Sequence, residues 1–316
     1  MSALAFLLAA AQAQEPPPES SPETSGAEMV GAAVEVTEPP APRWPRRFPG
    51  QCEPDDPHFD LEIAYTEGRY AEGLKLVEAR LAENPKDVVL HWMKVRFMYE
   101  IGERFGESSE VDRVGWYKKM IAVAEAGLEL APSDVHLHFG RGVSMGRLGT
   151  TRGVLASLFM AKDVERDWLF VAEHPTFEYA TLEGGEMLPC DAFHALGIFY
   201  RLVPDWWIVQ VIAGTRGSMP RSLEFNRKSV QCKPDRIQNW KELAATQYCI
   251  ATKDDDEAMR KAGDASVARG LALPVVDDVH RIDQRHLRQL KEDPSLGCGY
   301  SRDGQQDLDE KKLDKD

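Results

Sequence analysis

Residues 117–134 read YKKMIAVAEAGLELAPSD. Tyr117, Ile121, Ala124, Leu128 and Ala131 step by 4, 3, 4 and 3, which lays one apolar stripe along one side of a helix. Pro132 then ends it, because proline disfavours helix at the residue before it and has no N–H to donate. The same sentence is written again upstream. Tyr70, Leu74, Val77 and Leu81 step by 4, 3 and 4, and Pro85 follows in ENPKD.

Working outward, the stop recurs as LAPSD (Pro132), EHPTF (Pro175), CKPDR (Pro234) and LALPV (Pro274). Asp87, Ser133 and Asp235 stand where the following helix needs a side-chain oxygen to cap its first turn. Strand-like alternation is almost absent after residue 58. The proline spacings of 47, 43, 59 and 40 are irregular, and the largest brackets the insertion RLVPDWWIVQVIAGTRGSMP, residues 201–220. The expected fold is all-α: a helix–turn–helix solenoid of about five irregular repeats over residues 58–294. A C-terminal helix, 275–292, caps it, with Val276, Val279 and Leu290 facing inward. Solenoids need such a cap because each repeat buries its apolar face only against its neighbours.

The flanks read differently. Residues 1–13 hold an uncharged apolar run and end in Ala11-Gln12-Ala13, the small-residue pattern of a signal-peptide cleavage site, although no Lys or Arg precedes the run. Residues 14–57 are rich in Pro, Glu and Ser, too poor in apolar side chains to offset their ordering entropy, and read as a tether. Residues 295–316 read as a charged tail, frayed over 301–316. The expected location is periplasmic or secreted. With 52 acidic against 38 basic residues the chain has no electrostatic footprint for nucleic acid, and no apolar run is long enough to span a membrane.

Chemistry is hard to find. Gly142-Val143-Ser144-Met145-Gly146 fits the nucleophile-elbow pattern, but it lies inside a helix where the elbow needs a strand and a sharp turn. His136 and His138 diverge on a helix, as do His280 and His286, so neither pair makes a metal site. Asp254-Asp255-Asp256 is a charge run at a helix start. No enzyme, metal or cofactor is expected. Trp206 and Trp207 leave two readings open. The insertion plugs the core, or it forms a ligand- or partner-binding surface with Ile208, Val211 and Ile212.

The five cysteines show no C-x-x-C spacing. Cys190 precedes the first helix of the insertion-bearing repeat and Cys232 ends the antiparallel second helix, so a helix hairpin brings them within bridging distance. Cys298 could then return to Cys249, leaving Cys52 over.

The proline-stopped hairpins resemble the tetratricopeptide repeat. Phe193, Leu196, Gly197 and Tyr200 match its first-helix positions, Trp240, Leu243 and Ala244 match the next repeat, and Gly73 sits where helices cross closely. A narrower likeness covers residues 120–275. Gly146-Arg147-Leu148-Gly149 with Thr151-Arg152-Gly153, and the run from Ala192 to Val230 with Pro220-Arg221-Ser222-Leu223-Glu224, resemble the T component of periplasmic TRAP transporters and the related regulator-of-microtubule-dynamics proteins. That resemblance implies a non-enzymatic adaptor that binds a protein partner, such as a periplasmic solute-binding protein, and holds an apolar small ligand. A general envelope scaffold with no transport role is the alternative, and an enzyme on a helical frame the remote one.

The cleavage pattern generates a first prediction. The mature chain should begin at Gln14 in the envelope fraction. N-terminal sequencing of the purified protein checks it, and an intact Met1 in the cytosolic fraction would overturn it.

Overall fold

The computed structural model describes residues 57–105, 111–174, 178–181 and 184–309. The segments read as signal peptide and tether fall outside these residues, apart from position 57. Twelve α-helices carry the described fold: α1 Phe59–Thr66, α2 Tyr70–Glu83, α3 Val88–Gly102, α4 Arg113–Leu130, α5 Val135–Arg152, α6 Ala161–Glu173, α7 Leu188–Leu202, α8 Trp207–Ala213, α9 Met219–Cys232, α10 Ile237–Asp254, α11 Glu257–Ala272 and α12 Asp278–Glu292. A 3-10 turn, Leu155–Met160, leads into α6, and a second, Pro294–Gly297, follows α12.

The helices pair as α1/α2, α3/α4, α5/α6, α7/α9 and α10/α11, each pair stacking on the next, with α12 closing the row. This is the helix–turn–helix solenoid of five pairs and a cap. The first helices α3, α5, α7 and α10 touch in succession and form one layer, while α2, α4, α6, α9 and α11 back them. One strand pair was not expected: β1 Glu178–Thr181 and β2 Gly184–Met187 run antiparallel between α6 and α7, within the longest proline interval.

The turns share a device. The Pro85 carbonyl accepts from His91 Nε2 at 3.0 Å, Pro132 from His138 Nε2 at 2.9 Å, and Pro234 from Trp240 Nε1 at 2.8 Å. In each case the ring lies six residues on, at the fourth residue of the new helix, about one turn in, and ties the stop to the start. The caps fall partly where expected. Asp87 accepts from Leu90 N–H, but the next cap is Asp134, not Ser133, and accepts from Leu137 N–H at 2.9 Å. Before α10 the capping position is Arg236, not Asp235, and no side chain caps there. Ser133 and Asp235 are spent in the turn itself. Close crossings use glycine. A Cβ on Gly73 would lie 2.3 Å from the Phe97 ring, and one on Gly197 would strike the Asn226 amide.

Two readings of the C-terminal end need correction. Val276 lies ahead of α12 and is 74% exposed; the inward residues of α12 are Leu287 and Leu290, with Asp283 and Gln284, while Val279 is half-buried. Nor is the tail frayed through residue 309. The turn after α12 packs on α10, and residues 298–309 cross to α3, α4 and α5. The reason is a buried cation. Arg201 on α7 is 1% exposed and donates to the carbonyls of Gly297 and Tyr300 at 2.9 and 2.8 Å, and to Glu242 on α10 at 2.5 Å. Lys241 beside it donates to Asp283 of α12 at 2.7 Å. Six charged or carbonyl groups from four segments thus meet in one cluster.

Removing one member of such a cluster leaves the rest uncompensated. Arg201→Met should cost about 3 kcal/mol, the low end for a broken buried pair, because Lys241 still lies 3.4 Å from Glu242. Adding Glu242→Leu should restore more than half. Urea unfolding of the single and double variants measures this, and a double variant no more stable than the single would contradict it.

Candidate functional site

The inner layer encloses a cavity of about 540 Å³. Its floor is apolar, built from Phe139 and Val143 of α5, Trp168 of α6, and Ala195, Ile198 and Phe199 of α7. Helical spacing explains these contributions: residues three and four apart share a face. Gly142 and Gly146 let Trp168 lie flat against α5, since a Cβ at either would come within 3 Å of the indole.

One wall is aromatic and cationic. The Arg96 guanidinium sits 3.3 Å from the centre of the Tyr65 ring and is held by Glu62, a fully buried carboxylate, at 2.9 Å. His136 stacks on Trp92 with ring centres 4.6 Å apart. Burial pushes His136 down to about 3, with Arg96 adding to the effect, so the ring is neutral. His194 on the opposite wall is pushed down to about 4, chiefly by burial. Burial opposes the charge on Lys241, but Asp283 and then Tyr300 and Glu242 outweigh it and hold the ammonium above its ordinary value.

The cavity's charged rim is paired throughout: Arg104 with Glu100, Arg147 with Glu103 and Asp303, Arg236 with Asp191, Arg302 with Glu103. Such a lining suits a ligand with an apolar body. It aims no base at a nucleophile. Ser144 is fully buried and donates to the Gly140 carbonyl one helical turn back at 2.6 Å, so the elbow-like motif is helix interior. Among the described residues no cluster of three or more His, Cys, Asp or Glu side chains could hold a metal ion.

The Trp-Trp insertion divides by face. Neighbouring residues on a helix point about 100° apart. Trp206 and Ile208 turn inward and pack on the cluster containing Trp168, Phe199 and Val203, and Val209 beneath them is fully buried. Trp207, Val211 and Ile212 turn outward at 70, 68 and 62% exposure. Phe159, in the 3-10 turn on which α8 packs, is 64% exposed as well; sequence reasoning missed it, because a lone phenylalanine in LASLFM reads as core. Gly214, in the left-handed region at φ 71°, ends α8. The insertion is therefore both a core plug and an exposed apolar face, with one core cluster between that face and the cavity.

Cys190 and Cys232 are joined, with Cα atoms 5.6 Å apart, and Cys249 is joined to Cys298 with Cα atoms 4.5 Å apart. The first bridge closes the insertion-bearing hairpin of α7 and α9; the second fixes the root of the C-terminal segment on α10. Cys52 lies outside the described residues. Among these residues no helix is long and apolar enough to cross a membrane.

No family model matches this chain, and no curated protein matches it. Among solved structures, a chain described as the MamA RS-1 ArsTM double mutant is similar at 13% identity, covering 67% of this chain and 90% of its own length with a TM-score of 0.39. A likeness that loose adds nothing to the solenoid already evident from the helices.

Burial of His136 makes stability pH-dependent. A histidine whose folded value lies near 3 against 6.5 unfolded favours the unfolded chain once protonated. Its contribution is intact above about pH 6.5 and is lost as pH falls from there toward 3, about 2 kcal/mol by pH 5. His136→Gln should flatten that acid limb in urea titrations between pH 7 and 5; an unchanged slope would contradict the assignment.

Proposed function

We propose that this protein is a non-enzymatic helical-repeat adaptor of the periplasm or cell exterior. It docks a protein partner through the face made by Trp207, Val211, Ile212 and Phe159, and holds an apolar small ligand in the inner cavity. The observation that carries this reading is the pairing of an apolar-floored cavity with an exposed apolar face on opposite sides of one core cluster. Large side chains of this kind are normally covered, and contiguous exposure marks an interaction surface. Two joined cysteine pairs support an oxidising compartment. The resemblance to the TRAP T component favours a periplasmic solute-binding protein as partner. A general envelope scaffold without a transport role needs the exposed face and gives the cavity no task.

Trp207→Ser with Val211→Ser should weaken partner binding by about 30-fold or more, the loss expected when an aromatic anchor is removed from an interface centre. The melting temperature should hardly move, since both residues are exposed. Trp206→Ala should instead lower it. Pull-down from envelope extract with candidate solute-binding proteins measures binding, and mass spectrometry of the organic-solvent extract identifies the ligand. Full partner binding by the double variant would overturn the docking face; an extract free of apolar molecules would leave the scaffold reading standing.

A further inference from the structure

Residues 301–309 start in the cavity wall, where Ser301 and Arg302 line it, and are fastened by side chains to residues at the ends of α3, α4 and α5. The root is rigid. Cys298 is bonded to Cys249, Tyr300 is buried with its hydroxyl 2.8 Å from His286 Nδ1, and Arg201 holds the carbonyls of Gly297 and Tyr300. Ser301 and Arg302 then form part of the cavity wall beside Lys241 and Glu242.

The far end lands on the opposite wall. The Asp303 carboxylate accepts from Arg113, from Arg147 at 2.9 Å and from the Thr150 hydroxyl. Arg302 donates to Glu103 at 2.6 Å. The Gln306 amide donates to the Thr150 carbonyl and accepts from Val154 N–H, both at 3.2 Å, where α5 ends. Glu103, Arg147, Thr150 and Val154 all line the cavity.

We propose that residues 301–309 are a gate over the cavity, with Asp303 as its latch. Three features suit a segment that opens. Its backbone bonds to itself, Gly304 N–H to Ser301 O and Gln306 N–H to Gly299 O, and its bonds to α3, α4 and α5 run through side chains. The run SRDGQQD, 301–307, carries no apolar side chain, and the one apolar residue of the segment, Leu308, is half-buried, so lifting it exposes little apolar surface of its own. Polar contacts exchange for water at small net cost, whereas apolar ones do not. Glycines at 299 and 304 flank the latch, and Gly304 lies in the left-handed region at φ 109°. The covalent root keeps the open arm beside the mouth it covers.

This inference rests on the reading that the cavity takes an apolar ligand. The test uses the full chain and the apolar fluorophore N-phenyl-1-naphthylamine in stopped flow. Ala195→Phe, which narrows the cavity from its floor, should abolish the signal and so place the probe inside. Asp303→Asn should raise the association and dissociation rates together, by about tenfold, with the dissociation constant changed by less than about threefold, as a lowered barrier requires. Thr150→Val removes one donor from the latch while leaving Arg147 on Glu103, and should shift both rates in the same direction even where Asp303→Asn lowers the melting temperature. Rates equal to those of the unaltered protein in both variants would overturn the gate and leave the cavity reading intact. So would faster dissociation with unchanged association, since that marks a ligand contact. Failure of every variant to take up the probe would overturn the cavity reading and the gate with it.

Discussion

Three prolines that stop a helix, Pro85, Pro132 and Pro234, stand in exposed turns, and a ring from the following helix bonds the carbonyl of each. His91, His138 and Trp240 do so from six residues on. The bond fixes the angle at which the next helix departs, because a planar ring on the second turn has little freedom once its nitrogen is committed. It recurs ahead of α3, α5 and α10, the helices that form the inner layer with α7, and the cavity lies along that layer. Where the device is absent the geometry changes. After Pro274, His280 Nδ1 faces the N–H of Val276 at 3.4 Å, and the helix that follows is the cap, not another repeat. Between α6 and α7 a strand pair replaces the short turn, and there the proline interval is longest.

The helices were legible because their signals are local. Stripe and stop lie within twenty residues of each other, and five pairs follow from counting them. The caps were nearly legible. Ser133 and Asp235 are good capping residues by type, but the turn after the proline consumes one more position, which moves the cap to Asp134 and Arg236. The C-terminal segment was not legible at all. SRDGQQD has the composition of a solvated tail, and its partners Glu103, Arg113, Arg147 and Thr150 lie more than 150 residues away in sequence. Charge complementarity at that separation leaves no pattern in one sequence. The cavity is invisible for a related reason: Phe139, Trp168 and Phe199 each obey the rule for core positions, and the space among them is a property of how three helices cross. The Trp pair lies between these cases: two adjacent indoles do not point the same way, and the sequence does not say which one is covered.

Apolar packing alone would not have placed the end of the chain. Hydrophobic contact is non-directional, and a greasy tail could settle on the exposed α8 face as readily as across the cavity. Arg201 removes that ambiguity. A fully buried guanidinium presents donors in a fixed fork, and the carbonyls of Gly297 and Tyr300 with the Glu242 carboxylate meet it from the required directions. Buried ion pairs add little net stability against an apolar replacement, but they make misplacement costly. Here that penalty sets register: α12 is pinned through Asp283 on Lys241, and the root of residues 301–309 through Arg201, on adjacent turns of the same two inner helices.

The same reasoning separates the two ends of that segment. At the root, charges are buried with a disulfide and an aromatic ring, and Arg201 has its partners on the root itself and on α10. At the tip, Asp303 meets Arg113, Arg147 and Thr150, and Arg302 meets Glu103, which pairs Arg147 as well. Removing the tip therefore leaves Arg147 paired and no large apolar surface bare, while removing the root would strand Arg201 and Glu242. A chain end built with an exchangeable tip on an unexchangeable root has its freedom confined to one place, and that place is where Arg147, Thr150 and Val154 line the cavity.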